Sequence, residues 1–366
     1  MGLEGSVVGV VGAGTMGAGI AQVALENGHE VVLHDVDDPA IARGRARIRD
    51  GLARRAGRLD LDPDSIDEWV TGRLAGLRVA RTLDALGAEA ELVIEAALED
   101  LDLKRTIFGA LDAVTGPDVL LATNTSALSV GGIAAATRLP ERVLGLHFFN
   151  PAPVMALVEV IASAATAPSV ADRAVALMTS WGKTPVRCAD RPGFIVNRVN
   201  RPFTLEALRM LEAGEASVEA IDAALREDGF PMGPFELIDL AGVDINLAAS
   251  RAIWDGLGRP DHLAPPAILE RLAGDGRLGR KTGRGFYDYA DRSRGRPDPE
   301  FVGGPTTLGA DAIRERILSA VAAEARRAVD EGVATEADVD LALRLGAGHP
   351  SGPFERGRAS GGAGTR

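Results

Sequence analysis

The sequence of 366 residues holds a single cysteine, Cys188, which excludes a disulfide framework and a cysteine-rich metal site. A reducing cytoplasm is the simplest compartment to expect, and no metal is expected. Lysine is nearly as scarce: Lys104, Lys183 and Lys281 stand alone, and arginine fills every other basic position. With abundant Ala and Gly, that bias resembles the product of a GC-rich bacterial gene. Where arginine is the default, a lysine marks a position that needs a compact ammonium. Positive charge is in deficit overall, and a formal net charge of −12 argues against nucleic acid or a membrane surface as partner. No apolar run is long enough to span a bilayer. The start, MGLEGSVVGVV, fits the Met-Gly-x-x-x-Ser acylation pattern, but a strand begins at once and leaves no tether, and a basic leader with a cleavage site is missing. Neither a lipid anchor nor a signal peptide is expected. What is plentiful is apolar content, 46%, enough for a large core spread over two or three domains.

The stretch Val7 to Asp35 carries the strongest local signal. An apolar run, Val7 to Val11, reads as a buried parallel strand that enters Gly12-x-Gly14-x-x-Gly17, after which Ala18 to Leu25 has helical spacing. Gly12 permits the turn, Gly14 lets a pyrophosphate approach the backbone, and Gly17 lets helix and strand pack closely. The phosphates would meet the N–H groups that open the helix, so Gly12, Gly14, Thr15, Met16 and Gly17 are cofactor-binding candidates. Asp35 ends a second apolar strand, His29 to His34, where a carboxylate can accept both hydroxyls of an adenosine ribose. It would repel a 2′-phosphate, as would Asp37 and Asp38, so NAD is expected rather than NADP. The alternative is a glycine turn that binds nothing.

Beyond Asp35, Pro39 to Ala56 reads as a helix rich in arginine, and Arg54, Arg55 and Arg58 crowd its far end. They form either a solvated basic face or a grip on phosphates of an anionic substrate. Helices are expected at Asp64 to Leu74, Leu101 to Val114 and Val170 to Trp181. Strands are expected at Leu77 to Ala80, Leu92 to Ile94, Val119 to Ala122, Val143 to Leu146, Leu157 to Ile161 and Thr184 to Arg187. Polar residues gather where these strands end, at Glu99, Asn124-Thr125-Ser126 and His147 to Asn150. In an open parallel sheet that edge is where ligands bind. The fold class is therefore an α/β Rossmann-like dinucleotide-binding domain, residues 1–190, followed by an all-α domain, 191–290, with helices at Phe194 to Leu211, Val218 to Glu227 and Phe235 to Trp254. Ala290 to Pro305 looks like a linker. Glu206, Ile221-Asp222 and Gly233-Pro-Phe-Glu236 recur as Glu324, Val339-Asp340 and Gly352-Pro-Phe-Glu355, a second, truncated helical repeat over 305–355. Arg356 to Arg366 is expected to be a disordered tail.

His147 sits at a strand end among polar residues, with Glu159 just beyond a turn at Pro151-Ala-Pro153. If the chain folds back as the next strand, the two form a pair in which the carboxylate orients the imidazole, which suits a general base acting on a hydroxyl. A satisfied structural histidine is the other reading. Ser126 either donates to a substrate oxygen or caps a helix. Asn197 either faces a cleft between domains or is a polar surface position. Its counterpart in the second copy is Glu315, while Ile195 and Arg198 recur as Ile313 and Arg316, so that copy looks structural.

With these residues assembled, the chain resembles the L-3-hydroxyacyl-CoA dehydrogenase family, and most of all its bacterial 3-hydroxybutyryl-CoA members. The resemblance rests on GVVGAGTMGAGIAQ, VIEAALEDLDLK, TNTSALSV, HFFNPAPVM with LVEVI, PGFIVNR, GPFELIDLAGVD and GRKTGRGFYDY, in order from Val7 to about Tyr289. It implies NAD-dependent oxidation of a short-chain L-3-hydroxyacyl-CoA to 3-oxoacyl-CoA, with His147 as base and Glu159 as its partner. Ser126 and Asn197 would hold the reacting oxygen and help bind substrate. Glu99, Lys104, Ser126, Asn150 and Lys281 would touch the cofactor, and Arg58, with Arg54 nearby, would meet the CoA phosphates. It also implies an acyl-CoA partner and a homodimer through the helical domain. Two positions depart from the family pattern: Ala156 stands where a lysine is common, and Gly51 where a hydroxyl is common. Two rival readings remain at this point, a dehydrogenase of a non-CoA hydroxy acid and a non-catalytic NAD-binding protein.

Overall fold

The computed structural model describes residues 5–59, 61–289, 293–301 and 307–361. By internal contacts the chain divides into two units, Met1–Arg191 and Pro192–Arg366. In the first, alternating apolar strands and amphipathic helices build β1 (Val7–Val11), α1 (Thr15–Glu26), β2 (Glu30–His34), α2 (Asp38–Ala56), α3 (Pro63–Leu74), β3 (Leu77–Val79), α4 (Leu83–Gly87) and β4 (Leu92–Glu95). The unit continues with α5 (Leu101–Val114), β5 (Leu120–Thr123), α6 (Val130–Ala134), β6 (Val143–Phe148), β7 (Leu157–Ala162), α7 (Pro168–Ser180) and β8 (Thr184–Ala189).

The strands form one sheet in the order β3-β2-β1-β4-β5-β6-β7-β8. The first six run parallel, an arrangement that buries both faces, and β4, β5 and β6 are buried at every residue. The strand order reverses between β1 and β4, and ligands bind outside the strand ends at such a switch point. After β6 the chain turns back, so β7 pairs antiparallel with β6, and β8 then runs parallel to β7. Side-chain oxygens of Asp37, Asp62, Thr82, Asp100 and Ser129 cap α2 to α6. The short helices α4 and α6 were not expected from the sequence, since neither is long enough to show a helical period.

The second unit is helical, as expected for the fold class: α8 (Val196–Val199), α9 (Arg201–Glu212), α10 (Val218–Glu227), α11 (Pro234–Ala241), α12 (Val243–Gly256), α13 (Ala267–Gly274), α14 (Ala310–Asp330), α15 (Glu336–Ala347) and α16 (Pro353–Gly361). Two helices read as continuous are interrupted. Phe194 has a positive φ of 50°, and Asn200 with Pro202 divides the rest into α8 and α9. Gly242, at φ 104°, separates α11 from α12. The expected linker also needs correction where it is described: Arg294 pairs with Glu236, and Asp298 is buried between Arg277 and Arg284, so 293–301 packs onto its own unit. Likewise the expected tail is helical as far as Gly361. Its arginines find acids, Arg356 to Asp228 at 2.8 Å and Arg358 to Asp340 at 3.0 Å; positions 290–292, 302–306 and 362–366 lie outside the described residues.

The repeated motifs occupy repeated geometry. Asp222 accepts the N–H groups of Phe235 and Glu236, and Asp340 accepts those of Phe354 and Glu355. The two copies also grip each other reciprocally: Arg198 Nε reaches Glu324 at 2.7 Å, and its counterpart Arg316 Nε reaches Glu206 at 3.0 Å. Such an exchange, in which i meets j′ and j meets i′, is the pattern of a twofold axis.

Candidate active site

Gly12 carries φ 100°, and a Cβ on it would stand 2.5 Å from the Ala96 carbonyl oxygen, so only glycine makes this turn. A Cβ on Gly17 would lie 1.8 Å from the Gly12 carbonyl oxygen, which is how closely α1 crosses the loop. Gly14 opens α1 with no side-chain acceptor on the first N–H groups, unlike the capped α2 to α6. Exposed Thr15 and half-buried Met16 follow it. A helix N-terminus left uncapped behind a glycine turn fits a pyrophosphate. Asp35 Oδ2 accepts the Ala13 N–H and Oδ1 the Val36 N–H, both at 2.6 Å. The carboxylate is thus fixed beside the loop, and each oxygen keeps a lone pair for a ribose hydroxyl. The residues present fit NAD.

At the ends of β4 and β5, carboxylates and one ammonium set the loops. Lys104 is 1% exposed, and its Nζ donates to Glu95 Oε1 at 2.7 Å and stands 3.5 Å from Glu99 Oε2. Glu99 Oε1 accepts from Thr125 Oγ1 and from the N–H groups of Ser126 and Ala127. So Lys104 lies behind Glu99, and Glu99 in turn shapes the loop that presents exposed Ser126. Glu95 was not singled out in the sequence, yet it is fully buried and also accepts from Thr123 Oγ1 and the Ala97 N–H. A charge inside an otherwise apolar strand was its signal. Asn124 went unassigned too; its Oδ1 accepts the Phe148 N–H and ties the ends of β5 and β6 together.

His147 and Glu159 face each other across the antiparallel β6–β7 pair, with Nδ1 and Oε2 2.6 Å apart. The histidine is 5% exposed and the carboxylate fully buried, and the Phe149 ring lies 4.6 Å from the imidazole centroid. Because a carboxylate only accepts, Nδ1 carries the proton of a neutral imidazole, and the basic lone pair is then on Nε2. The connecting turn is held by the lysine that sequence reading left without a role. Lys183 Nζ donates to the Ala152 and Met155 carbonyls at 2.6 and 2.9 Å, and burial lowers its pKa. Its rarity as one of three lysines was the available signal.

A groove of about 490 Å³ runs beside this turn, lined by Thr15, Arg47, Arg54, Arg55 and Arg58 on one side and Asn150 to Val154 on the other. The arginines are exposed, as is Asn150. Gly51 explains the missing hydroxyl, since a Cβ there would lie 1.9 Å from the Gln22 side-chain oxygen. The remaining two candidates belong to the second unit. Asn197 is half-buried on α8. Lys281 Nζ pairs with Asp244 at 2.5 Å, and that bond, outweighing burial, holds the Asp244 carboxyl below its ordinary pKa. Among the described residues no helix is long and apolar enough to cross a membrane.

Comparison with known proteins gives the family. The model of the 3-hydroxyacyl-CoA dehydrogenase NAD binding domain matches residues 7–191, and that of the family's C-terminal domain matches 193–289 and 313–364. The chain is 47% identical over 283 residues to a 3-hydroxyadipyl-CoA dehydrogenase of Escherichia coli (strain K12), a match covering 77% of this chain and 58% of that relative. The chain thus spans little more than half of that relative's length. A 3-hydroxybutyryl-CoA dehydrogenase of Mycobacterium tuberculosis (strain ATCC 25618 / H37Rv) is 43% identical over 286 residues, 77% of this chain and 98% of the relative. The crystal structure of 3-hydroxybutyryl-CoA dehydrogenase from Escherichia coli K12 superposes with a TM-score of 0.87 at 36% identity, over 97% of this chain and 91% of that one. The glycine loop, the ribose carboxylate and the paired family domains identify the chain as a member of the NAD-dependent 3-hydroxyacyl-CoA dehydrogenase family.

Proposed function

We propose that the protein interconverts a short-chain L-3-hydroxyacyl-CoA and the 3-oxoacyl-CoA, in a reducing cytoplasm. The observation that carries the reading is the buried His147–Glu159 pair at the sheet edge that also bears the glycine loop. NAD, when bound, supplies the hydride acceptor. His147 Nε2 takes the proton of the 3-hydroxyl, and Glu159 stabilises the imidazolium that results. Ser126, and Asn197 of the second unit, hold the reacting oxygen. Glu99 and Lys104 keep the Ser126 loop in place, while Asn150 and Lys281 contact the cofactor. The exposed end of α2, with Arg54 and Arg58, receives the CoA phosphates, and this favours a CoA ester over a free hydroxy acid. Neutralising the groove would matter only for a phosphate-bearing substrate.

The test is NADH oxidation followed by absorbance across 3-oxoacyl-CoA chain lengths, beside a free 3-oxo acid. Turnover of the short CoA esters and not of the free acid is expected, and Arg58→Glu raises the KM for acyl-CoA at least about tenfold with NADH affinity unchanged. A KM that does not respond to Arg58→Glu removes the CoA assignment.

A further inference from the structure

Four arginines are buried among the described residues, and three of them have acids in contact. Arg142 meets Asp112, Arg198 meets Glu324 and Glu331, and Arg277 meets Asp298 and Glu300. The fourth, Arg201, is the first residue of α9 and is 8% exposed. None of the described residues offers it a carboxylate. Among the described residues its one side-chain partner is Ser250 Oγ, 3.4 Å from Nη1, and its Nε has no hydrogen-bond partner. Burial alone pulls its pKa down to about 10, which leaves it charged at neutral pH. A buried unpaired charge is among the most costly features a fold can hold, so this guanidinium is an anion site that the described residues do not fill.

The surroundings say which anion. Ser250 Oγ donates to the Asn246 carbonyl and keeps its lone pairs for Arg201. Asn246, one turn earlier on α12, has a buried side-chain oxygen without a partner, so its amide can rotate to present N–H groups. A fork of guanidinium N–H donors beside a small amide suits a planar carboxylate held by two parallel bonds. CoA phosphates already have the exposed arginines of the α2 groove. Arg201 also follows Asn197 by four residues across the break at Asn200, no more than about 14 Å of chain away. If Asn197 holds the C3 oxygen, the guanidinium is a few carbons further along the acyl chain.

We infer that Arg201, supported by Ser250 and Asn246, binds the ω-carboxylate of a short dicarboxylic acyl-CoA, so that the preferred substrate is a 3-hydroxydiacyl-CoA rather than its neutral monocarboxylic counterpart. This rests on the dehydrogenase reading above and narrows its substrate class. Arg201 is a specificity residue here, remote from the reacting carbon.

The experiment compares kcat/KM for 3-oxoadipyl-CoA and 3-oxobutyryl-CoA with NADH. The wild-type ratio favours the diacid by at least about tenfold, and Arg201→Met lowers that ratio about a hundredfold, with Arg201→Lys between them. A wild-type ratio of one or less, or a ratio that Arg201→Met leaves unchanged, overturns the inference. Should Arg201→Met fail to fold, Ser250→Ala lowers the same ratio, and free adipate competes with the diacid substrate in the wild-type enzyme. Equal competition by sodium chloride at matched ionic strength identifies an adventitious anion site only and refutes the substrate role. Wild-type protein that turns over neither ester sinks the dehydrogenase reading itself, which separates that failure from a loss of selectivity.

Discussion

Replacing Glu159 with glutamine isolates the charge in the His147–Glu159 pair. The amide is nearly the size of the carboxylate and its oxygen can still accept from Nδ1–H at the observed 2.6 Å, so the imidazole keeps its orientation and tautomer. What disappears is the attraction between the carboxylate and the imidazolium formed during proton abstraction. With the two charge centres about 4 Å apart and an effective dielectric of about 20, that attraction is about 4 kcal/mol. It acts only once the histidine is charged, so it is lost from the transition state and not from the ground state. Glu159→Gln is therefore expected to lower kcat by about a thousandfold, with the KM for acyl-CoA and the Kd for NADH within a few fold of wild type. Stopped-flow absorbance of NADH under single-turnover conditions reads the chemical step directly. A loss of less than about tenfold would show that the pair is structural and that the proton leaves by another route.

Gly17→Ala sets a methyl group 1.8 Å from the Gly12 carbonyl oxygen, a backbone atom held by the turn, so the loop must move and the Kd for NADH is expected to rise at least about tenfold by fluorescence titration. Unchanged NADH affinity would remove the loop from the cofactor site. His349 responds to acid: it is buried, its Nε2 lies 2.7 Å from Asn200 Oδ1, and burial with Arg356 nearby lowers its pKa from 6.5 to about 4. The unfolded chain takes up a proton at a pH where the folded one does not, so the stabilisation is complete above pH 6.5 and is lost as pH falls toward 4. Thermal unfolding midpoints should fall across that window in the wild type and fall less in His349→Gln, and parallel curves for the two would contradict it.

Much of the first unit was legible because its strands are buried on both faces and so appear as unbroken apolar runs between turn residues. The glycine loop, Asp35 and the fold-back that joins His147 to Glu159 could be read from spacing for the same reason. The second unit was harder. A helical period continues in phase through a short break, so Asn200-Pro202 and Gly242 passed unnoticed although each interrupts a helix. Residues 293–301 looked like a linker because charged and proline-rich composition marks loops in general, and composition does not reveal that Asp298 is buried between two arginines. Three of the side chains missed, Glu95, Lys183 and Arg201, share one property. Each is a charge in the interior, and its role depends on partners far away in sequence, as Lys183 shows in reaching across to the Ala152 and Met155 carbonyls.

The reciprocal grip between the two helical copies has a consequence for how the protein behaves on dilution. Two separate chains held by contacts such as Arg198–Glu324 and Arg316–Glu206 would part as their concentration fell through the dissociation constant. Here both partners lie on one chain, so α9 meets α14 at an effective concentration fixed by the intervening segment and not by the amount of protein in solution. The pairing is a first-order event, as available to a single molecule in a cell as to a concentrated stock.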